Sequence, residues 1–128
     1  MKSIYLSFLV LFLVGCNNDD DTVANCIEFN PAAVETVVEN TTADAASYTF
    51  EVGFRVLNGC GEFSSFEQTT LGNVTIIEVI AKYEGCICTQ DIPLRQTVYT
   101  FNQNIPGTYI LKFKMADDNY ITQTVAVE

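Results

Sequence analysis

From Tyr48 to Leu57 the side chains alternate strictly, with Tyr48, Phe50, Val52, Phe54 and Val56 on one parity and Thr49, Glu51, Gly53, Arg55 and Leu57 on the other. Successive side chains of an extended strand point to opposite faces, so this spacing specifies a strand with one buried and one mostly wet face. The period recurs along the chain. Residues 73 to 83 set Ile77, Val79, Ala81 and Tyr83 on one side and Val74, Ile76 and Ile80 on the other, the pattern of a central strand. Thr97 to Phe101 forms a short strand. Residues 108 to 115 place Tyr109, Leu111, Phe113 and Met115 opposite Ile110, Lys112 and Lys114, and Tyr120 to Val127 closes the chain. Asp117-Asp118-Asn119 forms a tight polar turn between these last two strands. Cys26 to Asn30 and a weaker element near Val34 to Glu39 bring the total to about seven strands, which suits a sandwich. No window shows helical spacing with caps at its ends, so the predicted fold is all-β: a single antiparallel β-sandwich over residues 26 to 128.

The N-terminus has another character. Lys2 precedes an apolar run, Ile4 to Val14, broken only by Ser7. A membrane-spanning helix needs about 20 apolar residues, so this run is too short and reads as the h-region of a secretory signal. It ends in Leu13-Val14-Gly15-Cys16, which resembles the bacterial lipobox. That resemblance implies removal of residues 1 to 15 and lipidation of Cys16, which then holds the chain on a membrane. Two or three acyl chains, at roughly 0.8 kcal/mol per buried methylene, make such an anchor effectively permanent.

Residues 16 to 25 form a polar tether, and its run Asp19-Asp20-Asp21 resembles the surface-export signal of lipoproteins in the Bacteroidetes phylum. The implied location is the outer membrane, lipid-anchored and facing the cell surface. Asp21-Thr22-Val23 is similar to the O-glycosylation sequence of that phylum, with Thr22 as the acceptor. Further on, Pro106-Gly107-Thr108-Tyr109, an alternating strand, a polar turn and a terminal Thr-Val-Ala-Val strand resemble the last hairpin of bacterial immunoglobulin-like domains. This implies a Tyr109 ring in the core and its hydroxyl on a nearby backbone group. Trp is absent, so the Trp-against-disulfide arrangement of antibody domains is excluded.

Four cysteines follow the anchor: Cys26, Cys60, Cys86 and Cys88. An even number in a secreted chain predicts two disulfides. Cys86 and Cys88 point the same way from an extended segment, and a bond between them needs a strained ring. Two pairings remain: Cys26 with Cys86 and Cys60 with Cys88, or Cys26 with Cys88 and Cys60 with Cys86. Either one staples the Asn58-Gly59-Cys60-Gly61 turn to the Cys86-Ile87-Cys88 segment. Such a loop contributes roughly 3 kcal/mol on the chain-entropy model.

Chemistry is constrained mainly by what is missing. The chain of 128 residues has no His, 6 Lys plus Arg against 16 Asp plus Glu, and a net charge of -10. Histidine triads, Cys-His pairs and imidazole metal ligands are excluded, and no basic cluster exists to bind nucleic acid. Glu62 and Glu67 flank Phe63, Ser64, Ser65 and Phe66, but two acids near each other mean little in so acidic a chain. Asp117, Asp118 and Asn119 lack the spaced ligands of a calcium loop. The expected protein is therefore a lipid-anchored envelope binding or structural module, with no catalytic residue, no cofactor and no bound metal. A membrane holds it through Cys16, and its partner is an envelope protein or a glycan. Two alternatives are a thiol-redox or metal-binding role for Cys86 and Cys88, and a protease-inhibitor-like module presenting residues 62–71 and 90–96 as loops.

Overall fold

In the computed structural model, which describes residues 26–40 and 47–128, the alternating run becomes β2 (Ser47–Arg55). It lies between β1 (Ile27–Asn40) and β5 (Leu94–Asn102). Phe50, Val52, Phe54 and Val56 are fully buried, as the parity requires. The remaining strands are β3 (Gly61–Leu71), β4 (Val74–Glu84), β6 (Gly107–Lys114) and β7 (Tyr120–Val127). The described residues form an all-β sandwich of seven strands. Cys16, Asp19, Asp20, Asp21 and Thr22 lie outside the described residues, together with the rest of the signal and tether.

Three elements differ from the sequence reading, each for a tertiary reason. The two elements expected around Pro31 are one strand, β1. Proline has no N–H for a ladder, but Pro31 stands opposite Ile80 at a position where none is needed. The Gly85 N–H donates to the Cys26 carbonyl at 2.9 Å, and counting by twos from that bonded pair leaves Pro31 at a non-bonded position. Beyond Ala32 the strand changes partners. Residues Ile27 to Ala32 pair with β4, and Ala33 to Asn40 pair with β2 across a bulge between Val34 and Thr36. β6 occupies the flank of β4 that β1 leaves free.

That substitution makes β4–β6 parallel, the single departure from antiparallel pairing among the described strands. The sandwich stays compatible with an immunoglobulin-like arrangement. β4 is central, with β3 along one edge and β1 and β6 sharing the other.

The second correction is β3. Residues 62–71 form a strand rather than an exposed loop. Phe63 and Phe66 are three apart, a spacing that hides period two, but a bulge between Phe63 and Ser65 shifts the parity so that both rings face the core. Third, β5 starts at Leu94 rather than Thr97, because the Arg95 side chain points inward. Its guanidinium donates to the carbonyls of Gly61 and Gly59 at 3.0 and 3.2 Å.

The rings of Phe54, Phe63, Phe66, Tyr99, Phe113 and Phe50 form a connected aromatic core between the sheets, with centroids 4.7 to 6.5 Å apart. Burial of each such side chain contributes roughly 1.5–3 kcal/mol. The last hairpin turns at Asp117 and Asp118, both left-handed with φ of 57° and 59°, and the Asn119 N–H closes the turn on the Ala116 carbonyl at 3.2 Å. Tyr109 packs against the core and donates its hydroxyl to the Ile105 carbonyl at 2.8 Å, the arrangement its surrounding motif implied.

Candidate functional site

β1 closes one side of the sandwich by joining both sheets. On the other side the edges of β3 and β5 face each other without a shared ladder. Side chains bridge that seam. Arg95 reaches across it near one end, and toward the other the Tyr99 hydroxyl donates to Gln68 Oε1 at 2.7 Å. Burial raises the Tyr99 pKa above its ordinary value.

At the end where β1 begins, the β2–β3 and β4–β5 connections meet its first residues. Asn58 organises the β2–β3 turn: its Oδ1 accepts from the Cys60 N–H at 2.9 Å and its carbonyl from the Gly61 N–H at 3.2 Å. The Gly59 N–H donates to the Thr89 carbonyl at 2.9 Å, which docks the β4–β5 connection on that turn. A Cβ at Gly61 would collide with Val56 and Tyr83, so only glycine fits there. Gly85 has φ of 136° and brings the following segment back against Cys60. Of the two pairings left open, the structure has Cys26 bonded to Cys86 and Cys60 to Cys88, with Cα atoms 5.0 and 5.4 Å apart. All four sulfurs are thus bonded in pairs, and Ile87 between them is 95% exposed.

This stapled end carries a cleft of about 450 Å³ bordered by Cys60, Glu62, Lys82 and Glu84. Nearby, Arg55 forms a bidentate pair with Glu35, at 3.0 and 2.6 Å, and donates to the Ile92 carbonyl at 2.9 Å. The guanidinium holds the Glu35 carboxyl below its usual pKa. Glu62 and Glu67 do not come together: they stand opposite Lys82 and Glu78 on β3, about 15 Å apart along the strand, too far for paired acid–base work. Among the described residues no group of three or more His, Cys, Asp or Glu is placed to hold a metal ion.

At the opposite end the connections are held by neutral side chains. Asn73, in the β3–β4 hairpin, accepts from the Ile110 N–H at 2.9 Å and donates its side-chain amide to the Thr108 carbonyl at 3.0 Å. The Thr70 and Thr75 hydroxyls bond each other at 3.1 Å across that hairpin. Beside it a second cleft, of about 310 Å³, opens between β3 and β5, with Gln68, Thr75, Tyr99, Phe101, Gln103 and Tyr109 among its lining. Sequence reasoning missed this cleft because Gln68 lay in a stretch read as loop. The parity of β5 already placed Tyr99 and Phe101 on one face.

The family model of the ORF11 beta-sandwich domain matches residues 50–127, from within β2 to the end of β7. The chain belongs to that family. No curated protein and no solved structure matches it. The matched ORF11 segment contains both clefts' β3 walls and the Cys60–Cys88 bridge, whereas β1 precedes it. The Cys26–Cys86 bridge therefore ties β1 covalently to the ORF11 domain.

Proposed function

We propose that this protein is a non-catalytic binding or structural module of a bacterial cell envelope, of the Bacteroidetes type, held on the outer membrane by lipid on Cys16. The observation that carries the reading is the covalent stapling of Cys26, Cys60, Cys86 and Cys88 at the end where the tether enters. Such bridges persist in an oxidising compartment, which is where the Leu13-Val14-Gly15-Cys16 motif would send the chain. In this reading residues 16–25 let the sandwich stand off the membrane, and Asp19, Asp20 and Asp21 direct it to the surface. The seam between β3 and β5 then faces the medium for a protein or glycan partner.

The test is detergent-phase partitioning of the full chain with labelled palmitate. Wild type enters the detergent phase carrying label, while Cys16→Ser accumulates as unlabelled precursor or is released. Equal labelling and partitioning of the two forms would end the lipoprotein reading. Thiol titration of denatured, unreduced protein separates this reading from redox or metal chemistry at Cys86 and Cys88, which requires free thiols and predicts two or more.

A further inference from the structure

The geometry points to the cleft between β3 and β5, at the end away from the disulfides, as a binding site for an uncharged oligosaccharide. This rests on reading the protein as a binding module and names the ligand class and the place.

Two side-chain amides are pinned there by their own oxygens. Gln68 Oε1 accepts from the Tyr99 hydroxyl at 2.7 Å, and Gln103 Oε1 accepts from the Ile105 N–H at 3.2 Å. With both oxygens engaged, each amide has its NH2 donors left for a ligand. Thr100 and Asn102 also border the cleft, but alternation along β5 turns their side chains away from the face of Tyr99 and Phe101, so the two glutamine amides are the donors the cleft offers. Between them the rings of Phe101 and Tyr109, 5.5 Å apart and both half-buried, provide an apolar surface. A sugar ring has this pairing of needs: hydroxyls around its rim that both donate and accept, and C–H faces that pack on aromatic rings.

Charge narrows the ligand class. No Lys, Arg, Asp or Glu lines the cleft, so an anionic or cationic ligand would lose hydration there without gaining a counter-charge. The other cleft differs on this point, since it carries Glu62, Lys82 and Glu84. At about 310 Å³ the neutral cleft stands at the lower end of the range for small-molecule sites, ~300–1,000 Å³. Its floor is rigid, because Tyr99 is buried and bonded to Gln68 and Thr75 is buried and bonded to Thr70. A ligand thus meets donors that are already ordered, which lowers the entropy cost of binding.

The experiment uses the full chain in a zwitterionic detergent, since a glycosidic detergent would itself compete. Calorimetry and amide NMR shifts are recorded with cellohexaose, maltohexaose and mannohexaose as neutral probes and oligogalacturonate as the acidic one. Binding of at least one neutral probe is expected, unchanged between low and high salt, with shifts at the Gln68 and Gln103 side-chain amides. Gln68→Glu keeps the acceptor for Tyr99 and removes the donors; Gln103→Ala removes a half-exposed amide. Each should weaken binding about tenfold with the melting temperature little changed, whereas Glu62→Gln in the other cleft should bind as wild type does. No binding of any neutral probe, preference for oligogalacturonate, or loss of binding in Glu62→Gln would each overturn the assignment. Because palmitate labelling reads the anchor separately, failure here leaves the lipoprotein reading standing, and failure there leaves this one standing.

Discussion

At the end where β1 begins, two disulfides, the Asn58 turn and Arg95 tie three chain segments together, while at the opposite end the hairpin of Asn73 and the turn before Tyr109 hold by hydrogen bonds and ring packing, without a covalent link. The two ends also differ in charge, one cleft bearing Glu62, Lys82 and Glu84 and the other none. The difference teaches a division of labour. Cross-links act mainly by restricting the unfolded chain, so they stabilise the whole sandwich from wherever they sit, whereas a hydrogen bond stabilises locally. An end fastened covalently leaves the other free to present polar groups.

That comparison breaks first at the longer bridge. The double change Cys26→Ala with Cys86→Ala opens a loop spanning 60 residues and should lower unfolding stability by about 4 kcal/mol in urea titrations. If it costs no more than a single surface hydrogen bond, the stapled end does not dominate stability. Next comes Gly61→Ala, whose methyl must displace buried Val56 and Tyr83. A loss of about 1–3 kcal/mol is expected, and an unchanged urea midpoint would show that this turn has slack.

At the other end Tyr109→Phe removes one hydroxyl bond to Ile105 and keeps the ring. It should cost about 1 kcal/mol, with hydrogen exchange quickened around residues 103–109 and unchanged near Cys60. Uniform quickening would deny the two ends their independence. The smallest effect belongs to Glu35, whose carboxyl Arg55 holds below the ordinary value of 4.5. A depressed folded pKa gives stability that is fully present above 4.5 and is lost as pH falls through the folded value. Wild type should therefore lose slightly more stability than Glu35→Gln on acidification in that window. Parallel profiles for the two would show that the pair contributes nothing, as exposed pairs often do.

How much of this was legible differs from strand to strand. β2, β4, β6 and β7 were readable because each keeps one parity throughout, and parity is a local property. β3 was not, since its bulge puts Phe63 and Phe66 on one face at a spacing that no regular strand allows. β1 looked broken at Pro31, because whether a missing N–H matters depends on the register with β4. Arg95 looked like loop surface, and only the carbonyls of Gly59 and Gly61 make an inward guanidinium acceptable. The candidate cleft was invisible for the same reason: Gln68 and Gln103 are 35 positions apart and acquire a common role only across the seam.

By itself, then, the sequence determined the fold class, the inward faces of β2 and β6, the central place of β4 and the turn at Asp117 and Asp118, because alternation and turn chemistry act within a few residues. The tertiary structure alone decided the partner change of β1, the parallel pairing of β4 with β6, the choice of Cys26–Cys86 with Cys60–Cys88, and the neutral cleft. Each of these depends on which distant segments meet, and that is settled by burying the aromatic core as a whole, which no short stretch of sequence encodes.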